Sequence, residues 1–468
     1  MLCTIVIFFS SEGVTLRPQP MALPVVAGRA NPDLDCRDYS ARRETKSLNP
    51  FRLNSKLGDK LHMPRTKRSG AFMVVLAIIA VTLTCTSAAA QSSYVVLHGF
   101  TWAHNPSGNL IFDAAGSLYG TTQSGGGTGC GGGGCGVVWK LTRYVNGKWT
   151  ATILHVFTGA DGANPAGGVI FDAAGNLYGT TQAGGAYGAG VVFKLQVNVN
   201  GTWTERVLYS FTGGADGANP AAGVIFDPVG NLYGTTLFGG SYGGGVLFKV
   251  DMAGNEEVLH TFTEDAFWPY AGLVRDQAGN FYGTTSYGGG SGPCDNNLGC
   301  GTVFKLEPTG NETVLHGFSD EPDGRYLLAG LIQDAEGNLY GTSEGGGMGS
   351  CYADIGCGTV FKIDTSGTET VLYRFTGGPD GAQPTTALVR DAAGNLYGTT
   401  SRGGVNCPAY GCGTVFKLDP TGQETVLHKF QGIGQSPNSP LIIDAAGNLY
   451  GTTSGGTKNY GIVFKITP

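Results

Sequence analysis

The chain has 468 residues, 80 of them glycine, and carries 29 lysines and arginines against 35 aspartates and glutamates, a formal charge of −6. A balance on the acidic side lacks the basic footprint that a phosphate backbone demands, and no basic run or stacking platform points to nucleic acid. No segment after residue 90 shows a sustained helical period, so the fold is not expected to be built from helices.

In chain order, residues 1–62 lack periodicity and are rich in arginine, proline and asparagine. They are expected to be either a disordered extension or sequence ahead of the true start at Met63. Residues 63–90 read as a secretory signal peptide. Arg65, Lys67 and Arg68 lead into an apolar run from Ala71 to about Leu83, and small residues Ala88 to Ala90 precede a cleavage point before Gln91. The apolar run is short for a spanning helix. Cys85 follows Thr82, Leu83 and Thr84 instead of the small pair that a lipid-attachment cysteine requires. Residues 1–90 together hold 12 of the basic and 6 of the acidic side chains, which leaves 17 against 29 and a formal charge of −12 for residues 91–468. No second apolar segment there suggests a membrane span.

From Asp113 onward one phrase recurs seven times: DAAGSLYGTT, DAAGNLYGTT at Asp172, DPVGNLYGTT at Asp227, DQAGNFYGTT at Asp276, DAEGNLYGTS at Asp334, and DAAGNLYGTT at Asp391 and Asp444. The copies are 59, 55, 49, 58, 57 and 53 residues apart. About twenty residues after each comes GVVWKL (Gly136), GTVFKL (Gly301) or a close variant. Then follows ETVLHxF or a variant, such as TILHVF (Thr152) and TVLHGF (Thr313). A short apolar run also precedes each DxxGN. These runs are β-branched and aromatic and are bounded by glycine, asparagine, aspartate and threonine, so each is a strand. We label them A (ending at the aspartate), B (NLYGTT), C (GTVFKL) and D (ETVLHxF). The A–B link is a hairpin turn whose Gly-Asn pair tolerates positive φ. Four antiparallel strands in about 50 residues make a propeller blade, and seven copies predict an all-β, seven-bladed β-propeller over residues 91–468. The first strand after the leader is a D (94–100) and the last is a C (461–466). The two are expected to pair and close the seventh blade, which removes an open sheet edge.

The eight cysteines of residues 91–468 form four close pairs, Cys130 and Cys135, Cys294 and Cys300, Cys351 and Cys357, Cys407 and Cys412, each within a B–C loop. Between the last residue of the GTT or GTS phrase and the glycine that opens strand C, these loops hold 13, 15, 14 and 12 residues, against 8, 8 and 7 in the loops without cysteine. An even count confined to the long loops predicts disulfides that pin them. The spacing does not suit a zinc site, and no metal or other cofactor is implied.

A residue present in every blade serves the fold. The aspartate that ends strand A is expected to cap the A–B turn, and the strand C lysine to snorkel. His98, His155, His260, His316 and His428 share one strand D position with Tyr209 and Tyr373, which suits packing at the blade edge. His104 alone lies outside the pattern. Function is expected where blades differ, in the D–A and B–C loops, which share one face of the ring. There TWAHNP, EDAFWPY and DEPDGRY replace the plainer DGANP and DGAQP. Trp102, Trp268, Tyr270, Tyr326 and Arg402 are the ligand-binding candidates. Glu264, Asp265, Asp323 and Glu344 are the carboxylates available for glycoside hydrolysis, which needs two of them about 5–10 Å apart.

With DxxGNLYGTT, GTVFKL and ETVLHxF together, the chain resembles the GloVer (Gloeo-Verruco) tandem-repeat family of exported bacterial proteins over all seven units. The resemblance implies an exported repeat protein and brings no reaction and no catalytic residues. The reading from sequence is a secreted, non-enzymatic propeller that presents one loop face to a glycan or a cell-surface protein. A carbohydrate hydrolase or lyase and a structural envelope component are the alternatives.

Overall fold

The computed structural model describes residues 92–263, 265–290, 294, 298–347, 349, 351, 355–404, 412–431, 435–456 and 460–468. They form seven four-stranded antiparallel sheets, a seven-bladed β-propeller. Blades 1 to 6 cover residues 103–156, 170–210, 225–261, 274–317, 332–374 and 389–429. Blade 7 takes strands A to C from residues 442–467 and strand D from Ser93–Gly99. That strand D pairs with Ile462–Thr467, from Ser93 opposite Thr467 to Gly99 opposite Ile462, and Phe100 N–H donates to Gly461 O at 3.1 Å. The ring is closed by its two ends, as the order of phrases predicts.

The core lies between blades. At every seam the phenylalanine of VLHxF packs edge-on against the strand C aromatic of the next blade, with ring centroids 4.9–5.4 Å apart. Trp139 replaces phenylalanine in blade 1. The glycine of LYGTT makes room for that ring. A Cβ on Gly120, Gly179, Gly234, Gly283, Gly341, Gly398 or Gly451 would meet it at 2.5–2.7 Å. In every blade the C–D register shifts at one place, within VLH, and this bulge turns the histidine or tyrosine toward the rim while the phenylalanine stays in the seam.

The first threonine of GTT ties blades together. Thr121 Oγ1 donates to Gly167 O at 3.0 Å, Thr284 to Ala329 O at 3.0 Å and Thr452 to Pro106 O at 3.1 Å, each across a seam to the run-in of the next strand A. Thr180, Thr235 and Thr342 do the same. Each of these buried donors is satisfied by the neighbouring blade, so the bond exists only in the ring.

The A–B turns are alike throughout. Asp172 Oδ1 accepts from the backbone N–H of Ala174 and Asn176 at 2.9 Å, while Oδ2 accepts from the Asn176 amide at 2.7 Å and the Tyr178 hydroxyl at 3.0 Å. In blade 1 serine replaces the asparagine, and Lys140 Nζ approaches Asp113 Oδ2 at 3.1 Å instead. Burial acts to raise these aspartates, but the hydrogen bonds outweigh it and hold all seven below the usual carboxylate range. The strand C lysines do more than snorkel. Lys140, Lys194, Lys362, Lys417 and Lys465 lie 5.0–5.9 Å over the tyrosine ring of LYGTT in their own blade.

Disulfides join Cys130 to Cys135, Cys294 to Cys300 and Cys351 to Cys357. Cys412 is also disulfide-bonded, and Cys407, its expected partner, lies outside the described residues. Among the described residues no helix is long and apolar enough to cross a membrane.

Candidate functional site

Seven equivalent backbone positions lie on the loop face, just ahead of each strand A, and all are left-handed. They are Asn105, Asn164, Asn219, Trp268, Tyr326, Gln383 and Ser436, with φ between 53° and 59°. The cause is a backbone bridge. The N–H of Trp268 donates to Gly244 O of the preceding blade at 2.9 Å, and its carbonyl accepts from Ser286 N–H of its own blade at 3.1 Å. Tyr326 repeats this with Cys300 O at 3.0 Å and Glu344 N–H at 3.1 Å. Asparagine visits this conformation readily and a bulky aromatic does not, at a cost of about 1–2 kcal/mol. Five of the seven carry asparagine, glutamine or serine, and blades 4 and 5 break the pattern with Trp268 and Tyr326.

The two aromatics are not isolated. Trp268 packs edge-on against Phe238 at 5.6 Å and against Tyr287 at 5.1 Å, and Tyr287 meets Tyr326 at 5.7 Å. Phe267 stacks on Tyr287 at 5.4 Å, and a short extra ladder, Ala266–Phe267 against Tyr287–Gly288, holds it there. A continuous aromatic shelf therefore runs over the loop face from blade 3 to blade 5. At its blade 5 end the Arg325 guanidinium lies 4.6 Å over the Tyr326 ring, donates to the Tyr326 hydroxyl at 2.8 Å and pairs with Asp320 at 3.1 Å. Burial pushes the Glu344 carboxyl up, against the opposing charges of Arg402 and Arg325. The shelf thus combines ring surfaces with a small set of polar groups, the usual makeup of a small-molecule or sugar site.

The predicted site residues divide. The structure brings Trp268 and Tyr326 together through Tyr287, and sets Arg402 close enough to act on Glu344. Tyr270, 39% exposed, stands apart from the shelf, where the D–A loop enters the lining of the central channel. Trp102 lies elsewhere on the ring, edge-on to Phe100 at 5.6 Å, and His104 packs on Tyr460 at 4.2 Å. Of the carboxylates, Asp323 is turned to the rim, where it accepts from Ser319 N–H at 3.1 Å beside His316. Asp265 is exposed, and Glu264 lies outside the described residues. Asp323 and Glu344 thus have different surroundings and different partners. Phe238 and Tyr287 were missed by sequence reasoning. Both sit two residues after GTT, where other blades have Ser124, Ala183, Gly345, Arg402 and Gly455, and aligning the repeats at that column would have exposed them.

The central channel, about 710 Å³, is lined by the seven A strands and their run-ins, largely glycine, alanine and aliphatic residues. A cleft of about 600 Å³ opens between blades 4 and 5 at the A–B turns, but its Asp276 and Asp334 are engaged in capping their own turns. Among the described residues no group of three histidine, cysteine, aspartate or glutamate side chains is arranged to hold a metal ion.

The model of the Gloeobacter/Verrucomicrobia repeat family matches residues 106–353 and 295–468. No curated relative matches the chain. Among solved structures, a gluconolactonase from Xanthomonas campestris is 15% identical, with 80% of this chain and 89% of that chain covered and a TM-score of 0.37. A luciferin-regenerating enzyme is 12% identical, with 81% and 95% covered and a TM-score of 0.40. Likenesses this distant carry no argument about activity.

Proposed function

The chain belongs to the Gloeobacter/Verrucomicrobia repeat family, and from that premise we propose that it is an exported, non-enzymatic propeller whose loop face over blades 3 to 5 binds a glycan. The observation that carries this is the left-handed pair Trp268 and Tyr326. Backbone strain of this kind persists where a side chain is needed for something other than stability. Both strained rings belong to one shelf, with hydroxyl, guanidinium and carboxyl groups at its edge. Aromatic faces flanked by such groups suit the apolar face and the hydroxyl rim of a sugar ring. The disulfides support an oxidising compartment outside the cytoplasm, and the leader at residues 63–90 supplies the route. Asp323 is engaged at the rim by Ser319 and His316 while Glu344 is acted on by two arginines, which favours binding over hydrolysis.

The test is a glycan array probed with the full chain and with Trp268→Asn, which restores the side chain found at equivalent positions. Binding by the parent and its loss in the variant are the expected results. Parent chain that binds no glycan, or a variant that binds as well as the parent, overturns the proposal.

A further inference from the structure

At four of the seven seams a loop aspartate comes within electrostatic reach of a glutamate from the next blade, and ligand binding uses neither. The D–A loops that leave blades 1, 2, 4 and 5 carry Asp161, Asp216, Asp323 and Asp380. Each meets the outer histidine or tyrosine of the blade it leaves: His155 at 3.0 Å, Tyr209 at 2.8 Å, His316 at 3.4 Å and Tyr373 at 3.2 Å. Strand D of the blade ahead carries Glu205, Glu256, Glu369 or Glu424 four residues before its histidine or tyrosine, and in each the Oε1 atom is shut off from solvent without a hydrogen-bond partner.

The remaining seams act as internal controls. At the same register position Ala151 stands in blade 1 and Tyr94 in blade 7, where the ring of Tyr94 stacks on His428 at 3.9 Å. The loops that precede these two strands, 101–106 and 431–437, contain no aspartate. Between blades 3 and 4 the glutamate, Glu312, lies 3.0 Å from His260 itself. At four seams the loop aspartate and the glutamate occur together, at two both are absent, and at the seam of blades 3 and 4 the glutamate meets a histidine instead.

Two ionised carboxylates at a half-buried seam repel, and an unbonded charged oxygen there is costly. A proton removes one charge and supplies an O–H donor. A metal ion is a poorer answer, because Tyr209 and Tyr373 replace histidine at two of the four clusters. We propose that each of these four seams stores one proton on the shut-off carboxyl of its glutamate, facing the loop aspartate, so that blade contacts are firmest in mildly acidic medium and weaken as the pH rises to neutrality.

Burial pushes Glu205, Glu256, Glu369 and Glu424 up to about 7, and the charges of Asp161, Asp216, Asp323 and Asp380 act in the same direction. Glu257 adds to this at Glu256, while His316 and Arg374 oppose it at Glu369, and Lys429 at Glu424. A carboxyl raised in the folded state makes that state the better proton binder. Its contribution therefore declines from pH 4.5, the unfolded value, to about 7, and is level above. The buried histidines work in the opposite sense over part of this window. Burial lowers His98, His155 and His428, the last to about 4, so their contribution grows as the pH rises toward 6.5. Chains that share the histidines isolate the glutamates.

The full chain is melted from pH 4.5 to pH 8 beside a variant carrying Glu205→Gln, Glu256→Gln, Glu369→Gln and Glu424→Gln. The variant is expected to gain on the parent up to about pH 7 and to keep a constant difference above it. The gain is up to about tenfold in the folding equilibrium constant per pH unit for each carboxyl. A difference in Tm that does not change with pH overturns the proposal. If the variant does not fold, the parent alone decides by infrared spectroscopy. A protonated carboxylic acid band that persists at pH 6 and disappears by pH 8 supports the stored protons, and its absence at pH 6 overturns them.

Discussion

The left-handed positions of blades 2 and 3 and those of blades 4 and 5 share one backbone and differ in what it carries. Asn164 and Asn219 sit there at ease, while Trp268 and Tyr326 hold nearly the same φ at a cost. The bridge to the preceding blade is the same in all four. The scaffold therefore does not require the aromatics. What distinguishes the two sectors is the surface they present: bare asparagines on one side of the ring, and on the other a shelf of five aromatic rings with Arg325 at its end.

Four changes break or sharpen that comparison. The largest effect belongs to the shared scaffold. Phe416→Ala removes the ring that Phe375 packs against and should cost about 3–5 kcal/mol in chemical denaturation, with glycan binding per folded molecule unchanged. Trp268→Asn should do the reverse. Relief of about 1–2 kcal/mol of backbone strain partly offsets the loss of three edge-on contacts worth about 0.5–1.5 kcal/mol each, so the midpoint falls less than for Phe416→Ala. Ligand affinity, by titration, should drop about thirtyfold if the ring is a central anchor. Asn164→Tyr, which moves strain into blade 2, outside the shelf, should cost about 1–2 kcal/mol without creating a binding site. Asp391→Asn tests the opposite face. Asp391 is held low, so its contribution is present above about pH 3.8 and is lost as the pH falls. The variant should be less stable by about 1 kcal/mol at neutral pH and should converge on the parent in acid, as read by melting.

The seven blades, their strand order and the closure at residues 93–99 were legible because each repeats a pattern or completes one. Asp113 and its counterparts were readable as turn caps because the residue type has few other uses before a Gly-Asn turn. The role of the first threonine of GTT was not legible, since Thr121 finds its acceptor 46 residues away in another blade. The lysine of strand C misled for the same reason: the ring it covers belongs to a different strand. At the site, Trp268 and Tyr326 stood out as unusual, but their strain is a property of φ, which composition does not display. Tyr287 was hidden because its partners come from two different loops.

The strand that completes the ring precedes blades 1 to 6 in the chain, and its partner follows them. Ser93 pairs with Thr467 across nearly the whole described chain, whereas the other ladders join segments close in sequence. On the ribosome, blades 1 to 6 can form as they emerge, but no incomplete nascent chain can finish the seventh. A stalled or truncated product is left with an unpaired strand at each end, open to chaperones, proteases or another copy of itself. A sealed molecule thus requires the strands from both ends of the propeller to be present together.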